Sequence, residues 1–506
     1  MNPPGPPANP VSRARERYQK RRRRQLATMV AVGVIGVCLI LAIVVITLLV
    51  RGCRSVLFNT GPTVPREADD PRWARELKSI EMREAPWLFE FDGDRLYLAS
   101  DRQRREVTYP TWPIDTLGAL SVADGSQLWE QAVDTEFSVF YCGGDYLAGF
   151  RNFLAGPPRL YLSCYTAESG ALAWAFELDY ATKGCITARD NIVVLGYELP
   201  DGYRLAAYNL AAHVEADAST EAKAWGMRLP LDNLLTQDLS AEYSGELKIA
   251  SRSGIVVYRF HNVIGLVDLE TGTRLKEYAA PGFIHDYAMD VANDMCYLLV
   301  SGNSAGTFLL QSIPIKNGRP HNLPRFQGRG EHGRLRAGNG ALLLCYPTTD
   351  AGREMKTKLM CYRDNTLIAE DEVDGAVGSM LHPRAAPDEF LVSVSGGLDE
   401  YGAPVGGGRL LSIPAVPGGE IAEVARFRQP VQELAPLKED CLVLLKGGEI
   451  YSYMAEYRAH HRLRKAKHPV LITMTSPDDR RLAVFATTEK FMDDQPGQPL
   501  QVIIFE

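Results

Sequence analysis

The sequence predicts an all-β fold: a β-propeller of eight blades, within a range of seven to nine, preceded by one transmembrane α-helix. Three observations predict it. A strand–turn–strand figure recurs at intervals of tens of residues. Apolar strand-like runs, broken by Gly, Asn and Asp, fill the chain from about residue 73 onward. One long uncharged stretch stands apart from them near the N-terminus.

The figure is clearest in Thr116–Glu130, TLGALSVADGSQLWE. Gly118, Leu120 and Val122 share one side of the first arm, the two-residue period of a strand. Ala123, Asp124 and Gly125 break the run, and Gly125 supplies the positive φ of a tight hairpin. Trp129 follows four residues after Gly125, where a flat indole needs a wall to pack against. Tyr165–Trp174 repeats the figure, with Trp174 four residues after Gly170. Gly265–Tyr278 repeats it again, with Gly272 in the turn and Lys276 in the tryptophan position.

Strand-like runs before these hairpins lay out units of about 40–50 residues, the length of a propeller blade. RLYLAS (Arg95–Ser100) opens the first; DYLAGF (Asp145–Phe150) and RLYLSCY (Arg159–Tyr165) belong to the second. NIVVLGY (Asn191–Tyr197) and RLAAYNL (Arg204–Leu210) make the third, and IVVYRF (Ile255–Phe260) leads the fourth. Less regular units follow around Cys296–Leu310, Ala341–Tyr362, Phe390–Ile413 and Cys441–Tyr453. The last runs, Arg481–Thr488 and Leu500–Glu506, need an outer partner, because an open ring exposes two sheet edges. Ala74–Glu81 is expected to supply it. That composite blade brings the count to nine, whereas eight is the commoner closure and is the expectation here.

The N-terminal stretch has a different logic. Residues 1–25 form a Pro-rich and basic tail, with eight basic residues between Arg13 and Arg24. Leu26–Val50 carries no charge; as an α-helix it reaches ~37 Å, enough to cross a hydrocarbon core of ~30 Å. The basic excess before the span places the N-terminus in the cytoplasm and everything after it outside. A cleaved signal peptide is the rival reading, but its apolar core is normally shorter and no good small-x-small site follows. Residues 51–72 read as a linker and 73–506 as the propeller.

Hydrophobic residues make up 46 % and charged residues 23 % of the 506, a globular balance. Beyond residue 54 the chain holds 45 basic and 61 acidic side chains, a net of −16. Such an acidic body opposes nucleic-acid binding through phosphate repulsion. Among the nine cysteines there is no CxxC, which excludes zinc-ribbon and thioredoxin-type sites. Cys345 and Cys361 flank a hairpin and either face each other as a bridge or stay buried as thiols.

The hairpins with Asp-Gly or Glu-x-Gly in the turn and Trp four residues on resemble the pyrroloquinoline-quinone-like (PQQ-like) propeller repeat. The resemblance covers about 85–280 and weakens beyond, since no Trp follows Trp225. It implies that Trp129 and Trp174 dock between neighbouring blades, with Gly125, Gly170 and Gly272 in the turns. The family contains quinone-dependent dehydrogenases and non-catalytic envelope propellers, such as the lipoprotein that assists outer-membrane barrel assembly. The dehydrogenase branch often carries adjacent cysteines, and this chain has no Cys-Cys pair and no CxxCH.

Chemistry elsewhere is sparse. Asp115, Asp124, Asp134 and Asp268 have the spacing of turn and strand-end residues. No HExxH occurs. GNSAG (Gly302–Gly306) matches a nucleophile elbow with Ser304 in the serine slot, but a strand-like run, not a helix, follows. In YRAHHRLRKAKH, strand alternation puts Arg458, His460, Arg462 and Arg464 on one side. They are either a docking patch for an acidic partner or lipid headgroups, or a solvated, edge-protecting strand. Long loops at Asp101–Thr116, Ala211–Ala224, Lys316–Gly333 and Ser395–Gly408 are the places for binding. The expected protein is thus a single-pass membrane protein of the bacterial inner membrane. Its periplasmic propeller acts as a scaffold for protein partners, without catalytic residues, cofactor or metal. The alternative is a quinone-dependent dehydrogenase, or another small-ligand enzyme, in the propeller funnel.

Overall fold

The period-two runs fold as antiparallel strands that pair with their sequence neighbours, in nine separate sheets. The computed structural model describes residues 73–82, 85–103, 112–153, 159–179, 182–215, 217–229, 248–302, 306–323, 325–328, 332–348, 355–398, 404–476, 480–487 and 499–506. All fall in one unit spanning 67–506. The expected tail (1–25), membrane span (26–50) and linker (51–72), like Ser304, lie outside the described residues. Among the described residues no helix is long and apolar enough to cross a membrane.

Eight sheets are continuous in sequence: blades 1 to 8 occupy 88–137, 139–179, 182–228, 248–279, 284–327, 334–374, 376–427 and 431–465. Blade 9 is composite. Val470–Thr475, Leu482–Thr487 and Leu500–Phe505 form its first three strands, and Glu76–Met82 pairs with Leu500–Phe505 as the fourth. The β-propeller therefore has nine blades, inside the expected range but one more than the favoured eight. Every unit read from the sequence, including the weak ones, is a blade.

First strands of neighbouring blades adjoin at the centre, and blade 9 meets blade 1 through Val470–Thr475 and Leu88–Phe91, which closes the ring. Nine apolar clusters fill the junctions between blades. Between blades 3 and 4, Val194 and Leu205 meet Val256 and Tyr258. At the closure, Phe91 and Leu96 meet Phe485 and Val502. Each such side chain contributes about 1.5–3 kcal/mol before entropy costs. The core is thus a set of sandwiched layers, and it exists only while every blade has two neighbours.

One irregularity recurs. Eight of the nine outer strands carry a one-residue β-bulge, at Leu128, Ala173, Ala224, Leu275, Ile368, Val424, Leu463 and Leu77. Blade 5 lacks it because two short strands, His321–Asn322 and Phe326–Gln327, replace a full outer strand. A bulge bends the strand and spoils an edge that would otherwise template aggregation.

Candidate functional site

The residue after each bulge decides how a blade grips the next one. In blade 1 it is Trp129, whose Nε1 donates to the Ala167 carbonyl of blade 2 at 2.9 Å. Its indole lies over Gly170, where an added Cβ would stand 2.4 Å from Cζ3. Gly170 has φ +69° and closes its turn by donating to the Thr166 carbonyl at 2.8 Å. Trp225 of blade 3 repeats this on Gly272, with Nε1 donating to the Leu269 carbonyl at 2.8 Å. Trp174 is buried against Phe176, but the longer turn of blade 3 carries the short helix Ala218–Glu221, and among the described residues the indole N–H has no partner. Lys276 keeps only the polar half of the grip: its Nζ donates to the Gly318 carbonyl of blade 5 at 2.9 Å. Gly125 faces the composite blade, where Lys78 and Ile80 occupy the indole's place.

The basic strand of blade 8 obeys the same rule. The bulge at Leu463 puts Arg464 opposite Ile450 and Arg462 opposite Tyr451, so the two arginines project to opposite sides and the expected single face is broken. Arg464 pairs with Glu76 of blade 9, Arg458 with Glu389 of blade 7, and Arg462 with Glu449 at 3.0 Å. His460 packs on Phe427 and Tyr451, and burial holds its imidazole below the usual range. The aspartates serve turns: Asp124 accepts from the Ser126 N–H at 3.0 Å, Asp268 from Thr271 at 2.9 Å, and Asp115 from Arg102 at 3.0 Å. The Ser126 hydrogen bonds hold the Asp124 carboxyl down at about 2. Cys345 and Cys361 are free thiols on adjacent strands of blade 6, and burial pushes Cys361 up to about 12.

The central channel is bounded by first strands, whose inner edges have no strand partner. Side chains of one blade satisfy the next instead. Tyr141 donates to the Ile186 carbonyl at 3.4 Å, Arg334 to Gly378 at 2.8 Å and Gln432 to Leu471 at 2.6 Å. Asp286 accepts from the Leu335 N–H at 2.7 Å and Ser379 from Leu434 at 3.1 Å. Glu90 accepts from Cys142, yet burial pushes its carboxyl up to about 8. These polar groups hold the ring together.

Concave surface gathers where the chain closes. Turns between first and second strands, and between third and fourth, fall on one face; turns between second and third strands fall on the other. On the former face a cavity of about 490 Å³ opens beside Trp73, Leu437, Met454 and Tyr457. Trp73 is buried on Met454 and Ala459, Ala74 donates to the Ser452 hydroxyl at 3.3 Å, and Arg75 and Glu506 exchange backbone hydrogen bonds of 2.9 and 3.0 Å. A second cleft of about 890 Å³, bordered by Asp92, Asp94, Arg384 and Arg481, shares Lys438, Glu439 and Glu506 with it. No local motif announces this region, because its walls come from residues 73, 385, 437–441, 452–457 and 506.

No family model matches the chain, and no curated protein matches it. Solved structures that resemble it include the C-terminal WD40 domain of Sif2, at 10 % identity, covering 85 % of this chain and 98 % of that one with a TM-score of 0.42. BamB from Moraxella catarrhalis is 12 % identical, with 76 % and 95 % covered and a TM-score of 0.37. The computationally designed Ika8 protein is 11 % identical, with 76 % and 98 % covered and a TM-score of 0.38. Scores this low carry no argument about function, and the fold rests on the strand pairing above.

Proposed function

We propose that the chain is a non-catalytic, PQQ-like propeller, anchored by a single N-in span in the bacterial inner membrane, whose periplasmic ring scaffolds protein partners. The observation that carries the reading is the concave ground at the closure, where four blades contribute turns to one face. Rigid blades present such a surface without needing a reacting group, and an anchor raises its effective concentration for membrane partners. The charge-free Leu26–Val50 and the basic run before it support the anchor and its orientation.

Photo-crosslinking in the native membrane tests the reading. A benzoylphenylalanine at Lys438, on the closure face, is expected to capture a discrete protein partner; one at Asp201, in a turn of the opposite face, is not. Equal capture from both positions, or none from Lys438, sinks the proposal. Titrating the purified chain with the quinone and Ca²⁺ tests the absence of catalysis. A saturable spectral shift with dye-linked alcohol oxidation would make it a dehydrogenase instead.

A further inference from the structure

The closure cavity has an unbalanced lining. Its apolar lining is Leu437 and Met454, with Trp73, only 4 % exposed, and the half-buried Tyr457 beside them. Four carboxylates, Glu439, Asp440, Glu456 and Glu506, line it, against the single cation Lys438. Among the described residues none of the four makes an ion pair. The acids of the surrounding strands are matched: Glu76 by Arg464, Glu81 by Lys467, Glu389 by Arg458 and Glu449 by Arg462. Glu439 and Glu506 also border the second cleft, whereas Asp440 and Glu456 line this cavity alone.

We infer that this cavity binds an arginine side chain projecting from a partner protein. The assignment rests on the scaffold reading and adds the chemistry of the contact. A guanidinium is weakly hydrated, stacks on aromatic faces and takes carboxylates in a planar fork, which matches a cavity lined by the half-buried Tyr457 and the exposed Glu439 and Glu456. A cavity of about 490 Å³ is of the size that encloses a small-ligand group. Asp440 already accepts the Ala455 N–H at 2.9 Å, which fixes one carboxylate in place across the hairpin. Burial pushes that carboxyl up, and the charges of Glu439 and Glu456 add to the effect. A bound cation removes the repulsion among the three.

The test is fluorescence anisotropy of a labelled arginine-repeat peptide titrated into the full-length chain in detergent, at low salt. Replacing both Glu439→Gln and Glu456→Gln is expected to weaken binding about tenfold or more, since each lost charge-assisted pair is worth roughly that factor. The control is Glu370→Gln with Glu372→Gln on the acidic outer strand of blade 6, where both acids face lysines; its affinity should hold. Equal loss in both double variants, or no loss in the first, overturns the cavity assignment. Crosslinking from Lys438 separates that failure from failure of the scaffold reading. Persistent capture by a chain that does not bind arginine leaves the scaffold standing, and its disappearance does not.

Discussion

Blades 1 and 3 grip their neighbours with an indole; blades 8 and 9 use the same backbone position for Arg464 and Lys78. The position is set by the bulge, which the two halves of the ring share. What differs is the side chain after it. An indole buries a large apolar face and donates one hydrogen bond, whereas an exposed ion pair is worth only about 0–1 kcal/mol. In blades 6 and 7 the position falls to Ala369 and Ala425. The lesson is that backbone geometry, more than the tryptophan, is the repeating element. The closure cavity sits in the half held by charges.

The largest expected effect comes from breaking the closure itself. Deleting residues 500–506 removes the third strand of blade 9, takes the only strand partner from Glu76–Met82 and opens one edge of Leu482–Thr487, which keeps Val470–Thr475 on its other side. Soluble, monodisperse protein should be lost; size-exclusion chromatography showing an unchanged monomer with the same melting temperature would contradict a closed ring. Next is Trp129→Ala, which should cost about 3 kcal/mol in denaturant unfolding, while Arg464→Ala should cost under about 1 and only at low salt. Gly170→Ala belongs with the first: its Cβ would collide with the indole at 2.4 Å, in addition to the strain at φ +69°. Gly254→Ala, at φ +75° with open space around it, isolates that strain and should cost only about 1–2 kcal/mol.

A smaller effect separates the channel from the rim. The Glu90 carboxyl titrates at about 8 in the fold against 4.5 in the open chain. Below the lower value both states are neutral and it costs nothing. As pH rises between the two, the unfolded state gains by ionising and the fold loses stability; above the upper value the loss is complete. Glu90→Gln should therefore raise stability at pH near 8, with the gain vanishing towards pH near 4. Since Glu90 keeps partial contact with water, the gain is about 1–2 kcal/mol, less than the full shift implies. Equal gains at both ends of the range would show that the carboxyl is not held neutral.

Much of this ring was legible in the chain. The period-two runs located every blade, and the turn glycines with Trp129 marked where blades meet, because those signals are local. The common closure of such repeats favours eight blades over nine, and the structure keeps every weak unit as a blade. The bulge is not legible in the sequence, because one extra residue in a strand leaves no compositional trace. It also defeated the alternation that grouped Arg464 with Arg462. The closure cavity was invisible for a different reason: Trp73, Asp440 and Glu506 become neighbours only when the ring closes.

Hydrogen exchange across the outer strands tests the central contrast most directly. The account predicts slow exchange in Gln127–Phe137 and Lys223–Arg228, whose blades dock by an indole, and faster exchange in Thr366–Asp374, Ala459–Lys465 and Glu76–Met82. Uniform protection around the ring, or faster exchange in the tryptophan-docked blades, would contradict it.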